Sequence, residues 1–281
     1  MSLGHRANAG VVFIGSAAHS GATLLGVMLG AHPSILYAGE AGKSLLLGNP
    51  SWPLKMRVCR LCGPDCVVWG NLRVTGGEDL YETLSRRTNR PIVVDSSSSV
   101  DWIAQQATAL GVVVPLRLIV LARDGRAVVN SRLRKYPETS ARDQAAAWVA
   151  HMRATEALAS RWPGPVHRVR YEELATRPEP TMRALADFLG VAFGPGMLDP
   201  WDSDPHPLGS NDGPLLLLLR ERAKRASGHG TGVVEPDDKT RDWYAAHPRG
   251  IVLDLRWKHE LSADALATFE QVAGETNRAY A

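Results

Sequence analysis

The stretch Val11-Val12-Phe13-Ile14-Gly15-Ser16-Ala17-Ala18-His19-Ser20-Gly21-Ala22-Thr23-Leu24-Leu25 determines how the rest of the sequence is interpreted. Its β-branched and aromatic start predicts a buried strand, and apolar residues at helical spacing follow as far as Gly30. The small residues between them let backbone N–H groups approach an anion closely, at a helix N-terminus that favours negative charge. The stretch therefore predicts either a phosphate-binding loop or an ordinary strand–helix turn, and the loop alone does not separate the two.

The loop lacks a lysine that many nucleotide-binding loops contain. It reads Gly21-Ala22-Thr23, whereas a nucleoside-triphosphate loop ends Gly-Lys-Ser/Thr, with the lysine reaching the outer phosphates. This difference disfavours a kinase or an ATPase and leaves a P-loop phosphotransferase as a distant alternative. The loop suits a phosphate with less charge to neutralise.

Length and composition limit the possible classes of protein. The 281 residues fit one domain, 1–281, in which residues 1–10 are polar and expected to be disordered. A net charge of +3 with dispersed basic residues argues against nucleic-acid binding, and the longest apolar run, Leu215 to Leu219, is too short to span a membrane. An odd count of three cysteines argues against a disulfide scaffold. We expect a cytoplasmic protein that acts on a small molecule, with a homodimer left open.

Strands and helices alternate along the chain after the opening loop. Strands are predicted at Ile92–Asp95, Leu116–Ala122 and Val166–Tyr171, and helices at Val100–Leu110, Ala127–Leu133, Ala141–Trp162, Pro180–Leu189 and within Ile251–Tyr280. This order predicts an α/β fold with a central parallel sheet flanked by helices in three layers. Ligands of such sheets bind beyond the carboxyl ends of the strands. The loops 15–23, 95–98 and 123–131 should therefore surround one crevice.

Two segments do not fit the alternation. Residues 43–72 are rich in loops, and residues 205–239 are rich in Gly, Pro and charge, which predicts a mobile flap with hinges at Gly228, Gly230 and Gly232. The first contains Cys59-x2-Cys62-Gly63-x2-Cys66-x2-Trp69, a spacing that suggests zinc. His32 and Asp65 are the only local candidates for a fourth ligand. Thiols that pack or pair locally are therefore favoured, and no metal is predicted.

Several motifs together resemble the sulfotransferases that use 3′-phosphoadenosine-5′-phosphosulfate (PAPS). The most specific are Arg123-Asp124-Gly125-Arg126-Ala127-Val128-Val129-Asn130-Ser131 and Val169-Arg170-Tyr171-Glu172-Glu173-Leu174, and the cysteine cluster is similar to that of bacterial members. The resemblance implies a P-loop-like fold and the transfer of a sulfuryl group to a hydroxyl of a small or medium-sized acceptor, a natural product or carbohydrate. It implies PAPS as the donor and no metal requirement.

The resemblance also implies roles for individual residues. Arg123 and Ser131 would hold the ribose 3′-phosphate, and the loose match Arg241-Asp242-Trp243 would close over the nucleotide through Arg241 and Trp243. The implied 5′-phosphosulfate loop consists of Ser16, Ala18, His19, Ser20, Gly21, Ala22 and Thr23. The stretch from Leu29-Gly30-Ala31-His32-Pro33 to Gly39-Glu40 is similar to the tyrosylprotein sulfotransferase branch, which assigns the catalytic base to Glu40.

Two departures from the family pattern concern cations. The loop has His19 where family loops carry Arg or Lys, and Ser98 replaces a lysine after the second strand. We hypothesise that His19 donates to the bridging oxygen as an imidazolium. Asp95 would orient His19 or serve as an alternative base, or it would only cap its turn. The departures leave open a sulfotransferase-fold protein that binds the nucleotide with altered or lost transfer.

Overall fold

A five-stranded parallel sheet forms the centre of the computed structural model, which describes residues 6–74, 76–225, 232–236 and 238–281. The strands are β1 (Gly10–Gly15), β2 (Ile35–Gly39), β3 (Ile92–Asp95), β4 (Leu116–Ala122) and β5 (Val166–Arg170), in the spatial order β2-β3-β1-β4-β5. All four neighbouring pairs are parallel, and β1 lies between β3 and β4. The carboxyl end of β1 therefore lies at the middle of the sheet edge, where the opening loop begins.

Eleven helices are assigned within the described residues and flank the sheet. They are α1 (Ala22–Gly30), α2 (Gly77–Thr88), α3 (Val100–Leu110), α4 (Gly125–Lys135), α5 (Ala141–Ala159), α6 (Tyr171–Thr176), α7 (Pro178–Leu189), α8 (Asp212–Arg225), α9 (Asp238–Ala245), α10 (Trp257–Glu260) and α11 (Ala263–Asn277). The predicted α/β class and parallel sheet are confirmed. None of the helices in the described ranges is long and apolar enough to cross a membrane.

Apolar residues of the strands form most of the core. Val11, Phe13 and Ile14 of β1 have no exposed surface, and the core around them extends to α1, α3 and α8. A second apolar cluster joins α4, α5 and α11 around Trp148 and Phe269. Because parallel strands need cover on both faces, continuous apolar runs such as β1 and β4 were recognisable from sequence.

One strand was missed. Ile35–Gly39 forms the edge strand β2, and every residue in it is buried. The run is short and ends in Gly39, whose φ of 73° is typical of a turn, so its sequence does not distinguish a strand from a turn. Helix α2 was missed as well, because its polar exposed face and its start at Gly77 hide the apolar stripe.

Residues 205–239 are more regular than predicted. Residues 212–225 form α8, and Leu215, Leu217 and Leu218 of that helix are buried in the core. The prediction of an irregular flap is therefore wrong for this helix. Gly228 and Gly230, two of the proposed hinges, lie outside the described residues.

The start of the described chain also differs from expectation. Asn8 is buried, its backbone N–H donates to Glu82 (2.9 Å), and its side chain donates to Ser85 (3.0 Å). Gly10 is already the first residue of β1. The predicted disorder therefore does not extend through residues 6–10, because hydrogen bonds to α2 hold this segment.

Candidate active site

The opening loop runs from the end of β1 to the start of α1 and leaves its amides available. Gly21 is the N-cap of α1 with a φ of 98°, and no side chain caps this helix end. A Cβ atom on Gly21 would lie 2.8 Å from the ring of Tyr171, so both the conformation and the space require glycine. The first-turn N–H groups of α1 thus keep the unsatisfied donors and positive dipole end that favour an anion.

His19 joins the loop to the two segments that follow β4. Its backbone has a φ of 71°, and its Nδ1 lies 2.8 Å from the Oγ of Ser131 in α4. Its carbonyl accepts a hydrogen bond from Arg123 at 3.0 Å. The structure therefore brings together three residues predicted for one nucleotide site, although 104 and 112 positions separate them in sequence.

The remaining loop residues have different environments. Ser20 is fully buried, and within the described residues its Oγ has no hydrogen-bond partner. Ser16 is buried as well, whereas Ala18 is exposed and lines a separate depression together with Ser98. Thr23 accepts a hydrogen bond from the backbone of Asn211 through its Oγ1 (2.9 Å). Buried hydroxyls usually have a hydrogen-bond partner, so the Oγ of Ser20 is the loop atom best suited to donate to a bound ligand.

Arg123 is the best-buried cation of the site. Its guanidinium stacks over the Tyr171 ring at 4.4 Å and contacts Asp254, with an Nη2 to Oδ2 distance of 3.3 Å. Only 7% of the residue is exposed, and its Nε has no partner within the described residues. A planar guanidinium with a spare donor suits a phosphate oxygen.

A cavity opens between these elements. It is lined by the loop and α1 (His19, Gly21, Thr23), by β4 and α4 (Arg123, Ser131, Arg134, Lys135), by Tyr171, by the segment 211–217, and by the C-terminal elements (Lys239, Trp243, Tyr244, Asp254, Arg256). Arg134, Lys135 and Arg256 were not predicted as site residues. The basic last turn of α4 was a visible signal for the first two, and nothing in sequence connected Arg256 to Arg123.

The cations of this cavity control the protonation of His19. Burial, together with the nearby charges of Lys135, Arg132 and Arg123, lowers its pKa to about 3. His19 is therefore neutral at physiological pH in the unliganded chain. The hypothesis that it acts as an imidazolium is wrong for this state, because the neighbouring cations oppose a further positive charge.

Asp254 is the counter-charge inside the cavity. Burial disfavours its ionised form, but the hydrogen bonds from Arg256 and the charges of Arg123 and Arg256 outweigh burial and hold its pKa well below the ordinary value. The carboxylate therefore stays ionised between two arginines. It occupies the kind of position that a phosphate oxygen would take.

Trp243 and Arg241 were predicted as a pair, and the structure separates them. Trp243 lines the cavity, and the guanidinium of Arg256 covers its ring at 3.9 Å. Arg241 is exposed and pairs with Asp238 at 3.0 Å within α9. Trp243 faces the cavity and Arg241 faces solvent, so of the two only Trp243 can contact a ligand in the cavity.

Asp95 does not reach the cavity. It is fully buried, and its two oxygens accept hydrogen bonds from the backbones of Ala41 and Ser97 and from the side chains of Ser97, Tyr81 and Trp102. Burial raises its pKa, although these bonds oppose the rise. The prediction that Asp95 orients His19 or serves as a base is wrong, because its side chain is inaccessible. It holds the start of the short helical turn Ala41–Leu46 against β3.

Glu40 lies immediately after β2 on another side of the site. Its Oε1 accepts the backbone N–H of Ser210 (2.8 Å), and its Oε2 pairs with Lys43 (3.1 Å). About a quarter of the side chain is exposed (26%). Glu40 does not line the cavity, but its partner Ser210 directly precedes Asn211, which does. Lys43 is a cation near Glu40 that sequence analysis missed.

A model of a sulfotransferase family matches residues 106–195, a segment that includes Arg123 and Ser131. Among solved structures, the sulfotransferase domain from the curacin biosynthetic pathway is 20% identical and aligns over 97% of this chain and 98% of its own, with a TM-score of 0.54. That of the Synechococcus PCC 7002 olefin synthase is 21% identical over 96% of both chains, with a TM-score of 0.51. Mouse sulfotransferase SULT7A1 complexed with PAP is 13% identical over 97% of this chain and 85% of its own, also with a TM-score of 0.51. No curated protein sequence matches significantly. These likenesses show the fold.

Proposed function

We propose that this protein is a sulfotransferase that transfers the sulfuryl group of PAPS to a hydroxyl of a small or medium-sized acceptor. The observation that carries the proposal is the joining of His19, Arg123 and Ser131 at the rim of one cavity. Arg123 and Ser131 lie in the segment that the family model matches, and His19 lies in the opening loop.

The donor nucleotide would be held at two places. Arg123 and Ser131 would bind the ribose 3′-phosphate, with the fork of Arg123 making charge-assisted hydrogen bonds. The loop amides and the buried hydroxyl of Ser20 would bind the 5′-phosphate, and Trp243 would contact the base. Arg134, Lys135 and Arg256 add positive charge around the same cavity. The mouse neighbour was solved with PAP, which is the desulfated form of the proposed donor.

The donor supplies an activated sulfuryl group with a good leaving group. Transfer therefore depends on positioning the acceptor oxygen and on donors placed where charge develops. The N–H groups of the loop and the first turn of α1 would stabilise that charge. His19, neutral and held by Ser131, would offer one ring nitrogen to the same region.

Glu40 would remove the proton of the acceptor hydroxyl. Its carboxylate is partly exposed and accepts a hydrogen bond from the backbone of Ser210, which directly precedes the cavity-lining Asn211. A general base needs such a fixed position. Lys43, which pairs with Glu40, would offer a cation that Ser98 cannot supply. The acceptor would lie among the segments 43–72 and 205–239, from which Lys43 and Ser210 contact Glu40.

The alternative is a nucleotide-binding protein with altered or lost transfer. Two observations favour it: His19 carries no charge in the unliganded chain, and Ser98 is exposed beside a depression separate from the main cavity. In this alternative the nucleotide binds with unchanged selectivity, and no acceptor becomes sulfated. A P-loop phosphotransferase would instead require ATP and magnesium.

The test has two independent parts. Calorimetry compares PAP with AMP, and we expect PAP to bind at least tenfold more tightly because only PAP carries the 3′-phosphate. Mass spectrometry then follows PAPS-loaded protein with a panel of phenols, sugars and natural products. Selective PAP binding without any sulfated product would favour the alternative function. Equal affinity for the two nucleotides would contradict the assignment of the site.

A further inference from the structure

Three cysteines that are close together in sequence lie next to a histidine that is distant in sequence. Cys59, Cys62, Cys66 and His206 place their ligand atoms within 4.8 Å of one another. The Nδ1 of His206 lies 3.2 Å from the Sγ of Cys62 and 3.4 Å from the Sγ of Cys66. No disulfide joins the three cysteines. The fourth ligand absent from the local sequence is therefore supplied by a residue 140 positions away from Cys66.

The donor set and its dimensions suit zinc. Zinc bonds of about 2.3 Å to sulfur and 2.0–2.1 Å to nitrogen place tetrahedral ligands roughly 3.6–3.8 Å apart. The observed separations of 3.2 and 3.4 Å reach that range with outward shifts of a few tenths of an ångström. Three thiolates with one imidazole form a complete tetrahedral set, which is typical of structural zinc sites.

The surroundings of the cluster orient the ligands. The Nε2 of His206 lies 3.5 Å from the Oδ2 of Asp204, so a carboxylate faces the ring nitrogen that points away from the thiols. This is the arrangement that fixes metal-binding imidazoles. The Trp69 indole donates to the His206 carbonyl (2.5 Å), and Gly63 donates to the Cys59 carbonyl (2.9 Å) across a tight turn. Cys59 and Cys66 are almost fully buried.

We propose that Cys59, Cys62, Cys66 and His206 bind one structural zinc ion that fastens the segment 206–210 to the edge of the sheet. Leu208 in this segment donates to the Ala38 carbonyl (2.9 Å) and accepts from the N–H of Glu40 (2.8 Å). Arg60, between the first two cysteines, donates to the carbonyls of Gly209 and Ser210. The site holds the backbone that contacts Glu40 and takes no part in the chemistry, because all four positions are filled by protein ligands.

Metal analysis of the purified full-length protein tests the site. We expect about one zinc ion per chain after removal of loosely bound metal, and loss of that zinc in His206→Ala. His259→Ala replaces an exposed histidine and serves as the matched control, which should keep its zinc. Wild-type protein without zinc, or with a disulfide among the three cysteines, would overturn the proposal.

A second pair of variants separates metal binding from folding. His206→Cys offers a fourth thiolate and should restore zinc, whereas His206→Gln should not. Cobalt added to metal-free wild type should give the visible absorption of a tetrahedral thiolate site, and this absorption should change in His206→Cys. Asp204→Asn should weaken zinc binding by about 10–100-fold while leaving its stoichiometry. Undiminished zinc content and affinity in His206→Gln would refute the assignment of the fourth ligand, whatever the activity of these proteins.

Discussion

The two sides of the candidate active site are built in different ways. The side proposed to bind the nucleotide, called the nucleotide side below, combines the opening loop with the end of β4 and the start of α4, which are continuous motifs with a recognisable pattern. The side proposed to bind the acceptor, called the acceptor side, consists of Glu40 at the end of the edge strand β2 and a distant segment, 206–210, that hydrogen-bonds to it. The first side carries an excess of cations, whereas in the second each charge of Glu40 and Lys43 is matched by the other.

The two sides differ because binding an anion and positioning a base need different surroundings. An anion is bound by donors that the fold leaves unsatisfied, such as the Nε of Arg123 and the hydroxyl of Ser20. A base is useful only when its carboxylate is held at a fixed position, so Glu40 needs partners from another segment. Changes on the nucleotide side should therefore alter affinity, and changes on the acceptor side should alter turnover.

The substitution Glu40→Gln should have the largest effect. It keeps the size of the side chain and the bond from Ser210 but removes the proton acceptor, so turnover should fall by roughly 10²–10⁴-fold. The affinity for PAP should stay within about a factor of three of the wild-type value. Single-turnover sulfation of an identified acceptor and calorimetry measure the two quantities. Wild-type turnover in Glu40→Gln would remove Glu40 from the mechanism.

On the nucleotide side, Arg123→Ala should reduce affinity for PAP by about tenfold or more, since charge-assisted hydrogen bonds contribute about 1.5–3 kcal/mol each. The affinity for AMP should change much less, because AMP lacks the 3′-phosphate. Arg183→Ala removes an exposed arginine that pairs with Glu179 within α7, and it serves as the control. An equal loss of affinity for PAP and AMP would indicate that Arg123 supports the fold of the site and does not read the 3′-phosphate.

The two sides also differ in how far the sequence predicted them. The loop 15–23, strand β4 and helix α4 follow from periodicity, small residues and a contiguous motif, and the structure assembles His19, Arg123 and Ser131 as expected. Asp95 was predicted as functional because it ends a strand in the right loop. Its burial depends on Tyr81 in α2 and Trp102 in α3, whose packing no local pattern reveals.

The acceptor side was less predictable for a physical reason. Its contacts join residues 140 to 170 positions apart, such as Cys66 with His206 and Glu40 with Ser210. The residues around His206 have no spacing pattern that marks a metal ligand. The two oppositely charged residues of the nucleotide cavity, Asp254 and Arg256, were missed for the same reason.

Asp254→Asn should strengthen nucleotide binding. The ionised carboxylate competes with an incoming phosphate for Arg123 and Arg256, so its removal should improve affinity for PAP by about threefold to tenfold. The amide can still hydrogen-bond to Arg256, which limits the structural change. Calorimetry at low and at high salt should show that the gain shrinks as salt screens the charges. Weaker binding of PAP to Asp254→Asn would instead mean that Asp254 orients the arginines for the ligand.

A further prediction concerns the protonation of His19 and the stability of the chain. Its pKa of about 3 in the folded chain lies below the ordinary value near 6.5, so between these pH values the unfolded chain binds a proton that the native chain does not. This contribution to stability is complete above pH 6.5 and is lost as the pH falls towards 3. In His19→Gln the stability should depend less on pH across that window, as measured by urea unfolding at several pH values. The control is His259→Gln, because His259 is exposed and does not line the cavity.

Nucleotide binding should reverse the electrostatic balance around His19. The phosphates of PAP bring negative charge next to a ring whose pKa is lowered by burial and by Lys135, Arg132 and Arg123, so binding should raise that pKa. Calorimetry in buffers of different ionisation enthalpy should therefore detect proton uptake that grows from pH 7 to pH 5, is absent in His19→Gln and persists in His259→Gln. If the raised pKa reaches the working range, turnover should lose its alkaline limb in His19→Arg, whose charge is permanent. Binding of PAP without proton uptake would mean that His19 stays neutral throughout, and the arginines and lysines of the cavity would then provide all the positive charge on the nucleotide side.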